Sequence, residues 1–206
     1  MGERTGAGQV PAGAADDDGA GAAGAEPVVA LLRAVNVGGR TVRAAELREA
    51  AESLGHTRVG SYVNSGNLVL VPAGPAPDVA PGLSAALTER YGFPVPVVTR
   101  TAREWDHVVA ALPFADAARD EPTHVALVAW DRAPDPASVR AFDPTALGDE
   151  LVVWLGDVAY VLYPQGQGRS RLTLAVLEKA AGGRVGTARN WRTVLALQAL
   201  AHERRP

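Results

Sequence analysis

The order of apolar runs along this chain constrains its fold more than any single motif does. Val28–Val35 is a continuous apolar stretch broken only by Arg33, which suits a central strand. Ala44–Leu54 places Leu47, Ala50, Ala51 and Leu54 on one helical face, and Gly55 stands where a C-terminal cap belongs. Val59–Val63 and Asn67–Val71 are strand-like runs flanking Asn64-Ser65-Gly66, whose residue types make turns, so the pair predicts a hairpin. Pro77 to Tyr91 predicts a helix with Leu83 and Leu87 inward, and Val95–Thr99 a fourth strand. The order is β-α-β-β-α-β.

The same order then recurs. Thr101 and Glu104 have the spacing of a capping box, which starts a connecting helix that runs to about Ala111 and stops before Pro113. His124–Trp130 reads as a strand and Asp135–Phe142 as a short helix. Leu151–Leu155 and Val158–Tyr163 flank Gly156-Asp157, a hairpin signal. Ser170 is placed to cap a helix running to about Ala181, with Leu174 and Leu177 inward. Val185–Ala188 is a weak last strand, and Asn190 caps a final helix through Ala201 with Val194, Leu197 and Leu200 on one stripe. The repeat lies in the pattern of elements; the halves show no convincing residue-by-residue identity. The expected fold is α+β: two ferredoxin-like halves with antiparallel sheets, a connecting helix and a C-terminal helix. The expected boundaries are a disordered tail at 1–26, a first half at 27–100, a connector at 101–122 and a second half with the final helix at 123–206.

Composition narrows the function classes. Residues 1–26 are mostly Gly, Ala and Asp, and bury too little surface to offset chain entropy. There is no cysteine, so no disulfide framework, thiolate nucleophile or thiolate metal site. No apolar run reaches the roughly 18 residues of a membrane span, and no signal-peptide pattern opens the chain, so a cytoplasmic protein is expected. The four histidines, at 56, 107, 124 and 202, show no ligand spacing; no metal and no cofactor is expected. Neither a Walker motif, a G-x-S-x-G elbow nor a dinucleotide fingerprint is present, and no catalytic residue can be named. Nothing fixes an oligomeric state. Lys179 is the lone lysine and isoleucine is absent, a coding bias that empties Arg-over-Lys of meaning.

Chain direction brings the polar residues together. In a ferredoxin-like sheet the exit of the first strand and the first hairpin share one edge. That edge would collect Arg33, Asn36, Gly38, Gly39 and Arg40 with Ser65, Gly66 and Asn67. Backbone N–H groups at glycines, amides and arginines together suit a carboxylate or phosphate. The same residues also suffice for a hairpin turn and a tight strand-to-helix turn. Arg189 and Asn190 form a further polar cluster at a helix start, readable either as an N-cap or as an anion contact.

These residues also carry a family likeness. Leu32-Arg33, Asn36-Val37-Gly38-Gly39, Leu47, Leu54-Gly55, Ser65-Gly66-Asn67 and Val95 to Arg100 fit one pattern in order. So do Leu112-Pro113-Phe114, His124-Val125, Leu177-Glu178-Lys179, Arg189-Asn190-Trp191 and Thr193-Val194. Over about residues 27–200 the chain resembles the bacterial family called domain of unknown function 1697. The resemblance implies two ferredoxin-like halves and brings no activity. The chain departs from the pattern at Val35, Val63-Asn64 and Arg171.

Two function classes follow. One is a binder of a small anion (phosphate, nucleotide or carboxylate), with or without phosphate or acyl-phosphate chemistry. The other is a nucleic-acid or protein interaction module without catalysis. The net charge of −3 and the lack of aromatics in Val28–Val35 and Asn67–Val71 argue against nucleic acid.

Overall fold

A computed structural model describes residues 25–33, 42–63 and 66–205. Asn36, Gly38, Gly39, Arg40 and Ser65, and nearly all of the expected tail, lie outside the described residues.

The first half runs β1 (Val28–Leu32), α1 (Ala44–Ser53), β2 (Thr57–Ser61), β3 (Asn67–Val71), α2 (Ala76–Tyr91), β4 (Val97–Thr101). Then come α3 (Ala102–Ala110) and α4 (Ala115–Asp120). The second half runs β5 (Val125–Trp130), α5 (Pro136–Ala141), β6 (Leu151–Leu155), β7 (Val158–Leu162), α6 (Leu174–Ala180), β8 (Gly186–Asn190), and α7 (Trp191–His202) ends the chain. Each half builds a four-stranded antiparallel sheet, β2-β3-β1-β4 and β6-β7-β5-β8. The architecture is the expected α+β one.

Three apolar layers hold it. The outer face of the first sheet is covered by α1 and α2 through Leu47, Ala51, Leu83 and Leu87. The outer face of the second is covered through Leu172, Leu177 and Ala181. The inner faces of both sheets share one core with α3 and α7, in which Val29, Leu31 and Val69 meet Leu127, Val158 and Tyr160 around Trp105, Trp191 and Leu197. β1 and β5 are consequently buried along their whole length, which is why both read as unbroken apolar runs. Trp105 stands in the middle, fully buried, its indole N–H donating to the Val194 carbonyl at 3.1 Å.

Several boundaries differ from those expected, each for a local reason. β2 begins at Thr57 because a bulge, with Arg58 at φ 50°, brings Thr57 into register with Val71. β4 begins after Pro96, which has no N–H to give a ladder. The helix expected from Ser170 starts at Leu174 with Thr173 as its cap, because the Ser170 hydroxyl is drawn to Glu150. The capping box of Thr101 and Glu104 and the Asn190 cap form as expected. α4 was not expected; only Ala118 of it is buried, too little to leave a period in the sequence.

Candidate functional site

β1 ends at Leu32, and the chain leaves the sheet between two neighbours. The Leu32 N–H donates to the Gly66 carbonyl at 2.8 Å, and the Arg33 N–H to the Pro96 carbonyl at 2.9 Å. Arg33, Gly66 and Asn67 therefore share one edge, as chain direction requires.

Arg33 extends toward the second half. Its Nη2 lies 2.9 Å from Glu178 Oε2, with a third of the Arg33 side chain exposed and Glu178 largely buried. The other oxygen, Oε1, accepts from the Gly186 N–H at 3.1 Å. The Arg33 Nε is buried and meets no acceptor, so one arm of the guanidinium fork is unsatisfied. Such a donor is costly in a folded chain unless something supplies an oxygen.

Arg189 comes from β8 and crosses in the opposite direction. Its Nη2 donates to the carbonyls of Leu32 at 2.8 Å and Gly66 at 3.1 Å. Its Nη1 donates to Thr187 Oγ1 at 2.7 Å and the Ala188 carbonyl at 2.8 Å, and its Nε to Asn67 Oδ1. Asn67 is fully buried and donates from Nδ2 to the Tyr62 carbonyl at 3.0 Å. Burial lowers the Arg189 pKa to about 10, which leaves it cationic at neutral pH. Asn190 is one residue further on, and its Oδ1 accepts from the Thr193 N–H at 3.0 Å as an N-cap.

Val63 completes the described part of the hairpin. It has φ 49° and is 56% exposed. A β-branched residue in the left-handed region is strained, and such strain gathers where function requires a particular backbone.

Arg189 has a counterpart. Thr101 and Asn190 are the N-caps of α3 and α7, and the residue before each is arginine: Arg100 and Arg189. Val28 pairs with Thr101 as Ala126 pairs with Asn190, so Leu32 and Trp130 are equivalent. Arg100 Nη2 donates to the carbonyls of Trp130 at 3.0 Å and Asp157 at 2.9 Å. Each half thus finishes the first strand and the hairpin of the other with one guanidinium. Arg100 also has a carboxylate, Asp157 Oδ2 at 2.8 Å.

Sequence reasoning missed Glu178, Thr187, Val63 and the crossing made by Arg100. The repeated arginine before an N-cap, Arg100-Thr101 and Arg189-Asn190, was the available signal for the crossing. Among the described residues no group of three His, Asp or Glu side chains is placed to hold a metal ion. No helix among them is long and apolar enough to cross a membrane.

No curated protein matches the chain in sequence. In structure it is similar to the conserved bacterial protein SP0830 from Streptococcus pneumoniae. That likeness has a TM-score of 0.62 at 21% identity and covers 85% of this chain and 98% of that one, a likeness of fold. The model of one family, described as protein of unknown function (DUF1697), matches residues 26–160, and with two-thirds of its length so matched this chain belongs to that family.

Proposed function

We infer that the rim at the end of β1 binds a small anion, a phosphate, nucleotide phosphate or carboxylate. One observation carries this reading: two guanidinium groups, one from each half, stand at the exit of β1. Arg189 holds the Leu32 carbonyl and Arg33 is the next residue, paired with the Glu178 carboxylate. Arg33 is the group that can donate to an anion, because its Nε–H is unspent, whereas the N–H groups of buried Arg189 are taken by protein acceptors and it contributes charge and a fixed backbone at the rim. The unsatisfied Arg33 Nε and the strained Val63 support the same place. Asn36, Gly38, Gly39, Arg40 and Ser65 belong to the proposed site by their position in the chain, between β1 and α1 and in the first hairpin.

Recognition of RNA bases on the open sheet face is not favoured. β1 and β3 are buried, and α3 and α7 cover the inner face that such domains leave free.

The test is a thermal-shift titration with inorganic phosphate, nucleoside phosphates and an acyl phosphate on the native chain, Arg33→Ala and Glu178→Gln. A binding anion raises the native melting temperature. Arg33→Ala abolishes the shift while keeping the native circular dichroism. Glu178→Gln strengthens binding severalfold by removing the competing carboxylate. Equal shifts in the native protein and Arg33→Ala would falsify the site.

A further inference from the structure

The two halves differ in what covers the inner face of their outermost hairpin strand. In the first half Gly60 of β2 lies opposite Val69, and a side chain at Gly60 would collide with the Arg204 guanidinium. The end of α7 is fastened there. Arg204 Nε donates to the Arg58 carbonyl at 2.6 Å, and Arg58 donates back to the carbonyls of Glu203 at 2.8 Å and Arg205 at 3.2 Å.

Val153 is the equivalent of Gly60. It lies opposite Tyr160, which pairs with Leu127 as Val69 pairs with Val29. Its cover is less complete: α7 runs to His202, whereas α3 ends at Ala110, and Leu112, Phe114 and Ala118 beyond it pack on the inner core yet leave Val153 exposed. Leu151, Val153 and Leu155 alternate along β6 on this inner face, 49%, 38% and 50% exposed. Next to Leu155 a cleft of about 260 Å³ opens between α3 and β7, walled by Val108, Ala111, Val158 and Tyr160. Glu104 and Asp157 stand at its rim and are exposed, whereas Arg100 is buried.

We propose that this face docks an amphipathic helix of a partner protein. The apolar side of the helix lies on Leu151, Val153 and Leu155, and a basic residue at one end reaches Glu104, beside the Arg100–Asp157 pair. The chain itself shows the kind of cover that fits, since the end of α7 closes the matching face of β2 with the Arg204 guanidinium. Charge points the same way, because Glu104 and Asp157 outnumber buried Arg100, which pairs with Asp157, and the other exposed polar group of the lining is His107. Length agrees as well: Leu151 to Leu155 spans roughly 13 Å of strand, about nine residues of helix. A helix against an apolar groove is a common recognition mode. A second copy fits poorly. Three half-exposed side chains fall far below the ~800 Å² per partner of a stable interface. Antiparallel pairing of β6 about Val153 would also set Asp149 against Asp157, like charge against like.

The probe is a fluorescein-labelled peptide of this chain's own residues 191–205, titrated with the full-length protein and read by fluorescence anisotropy. Saturable binding is expected. Val153→Glu and Leu155→Glu weaken it at least about tenfold, as loss of a central contact does. Leu195→Glu, an exposed apolar position on α7, leaves it unchanged. All three variants are checked for native circular dichroism and melting, and Leu155→Ala serves where a glutamate lowers either. Absence of saturable binding, or equal weakening by Leu195→Glu, overturns the proposal. So does a dimer in sedimentation that Val153→Glu dissociates, which would assign the face to a second copy.

Discussion

Arg100 and Arg189 reach out of their own halves to hold the hairpin of the other, yet they meet different chemistry there. Arg100 finds the Trp130 and Asp157 carbonyls and the Asp157 carboxylate, so the second hairpin brings its own counter-charge. Arg189 finds the Leu32 and Gly66 carbonyls and the Asn67 amide oxygen. The second crossing is therefore a structural lock with local neutralisation. The first is the same lock made on carbonyls and an amide oxygen, next in the chain to Arg33, which pairs with Glu178. The same scaffold position thus ties the two halves together with two different sets of acceptors.

The strongest way to break this comparison is to remove each arginine. Arg189→Ala strips donors from three described carbonyls and from buried Asn67, and should destabilise the chain by about 3–5 kcal/mol in urea unfolding. Arg100→Ala should be milder, about 2–3 kcal/mol, because half-exposed Asp157 regains water. Equal losses would mean that the counter-charge at Asp157 is irrelevant to the lock.

A smaller effect sharpens the contrast between the hairpins. The second turns through Gly156 at φ 56°, which glycine adopts without strain, whereas the first carries Val63 at φ 49°. Val63→Asn places a residue that tolerates this region, and should stabilise the chain by about 0.5–1 kcal/mol in thermal unfolding. If the strain serves the proposed anion site, the same substitution weakens anion binding.

The smallest effect concerns the two inner helices. Asp106 of α3 accepts from Gln198 at 2.8 Å, lies 2.7 Å from His202 Nε2 and pairs with Arg205, all at the end of α7. Burial works against its charge, but these three partners outweigh it and bring its pKa to about 2. An aspartate depressed in the folded state stabilises the fold above its ordinary pKa of about 4, and that contribution is lost as pH falls from about 4 through about 2. Unfolding in that window should be less pH-dependent in Asp106→Asn than in the native chain.

The element order was legible because β1, β5 and the helices bury whole runs or whole faces, which leaves a period in the residues. The edge shared by Arg33 and Asn67 was legible from chain direction alone. What the sequence hid was long-range. Arg189 looked like part of a helix start because its neighbour Asn190 is one, and its bonds to Leu32 and Gly66 span more than 120 residues. Glu178 stood in the family pattern as part of Leu177-Glu178-Lys179, but its pairing with Arg33 spans 145 residues and left no local signal. Strand ends were misplaced where a bulge or a proline, rather than hydrophobicity, decided the register.

The exchanged arginines give the chain the bonding plan of a two-fold dimer threaded on a single backbone. Neither half expressed alone would have its leading strand tied off, since the tie belongs to its sibling. Mixed from separate polypeptides, the two halves should find each other and knit.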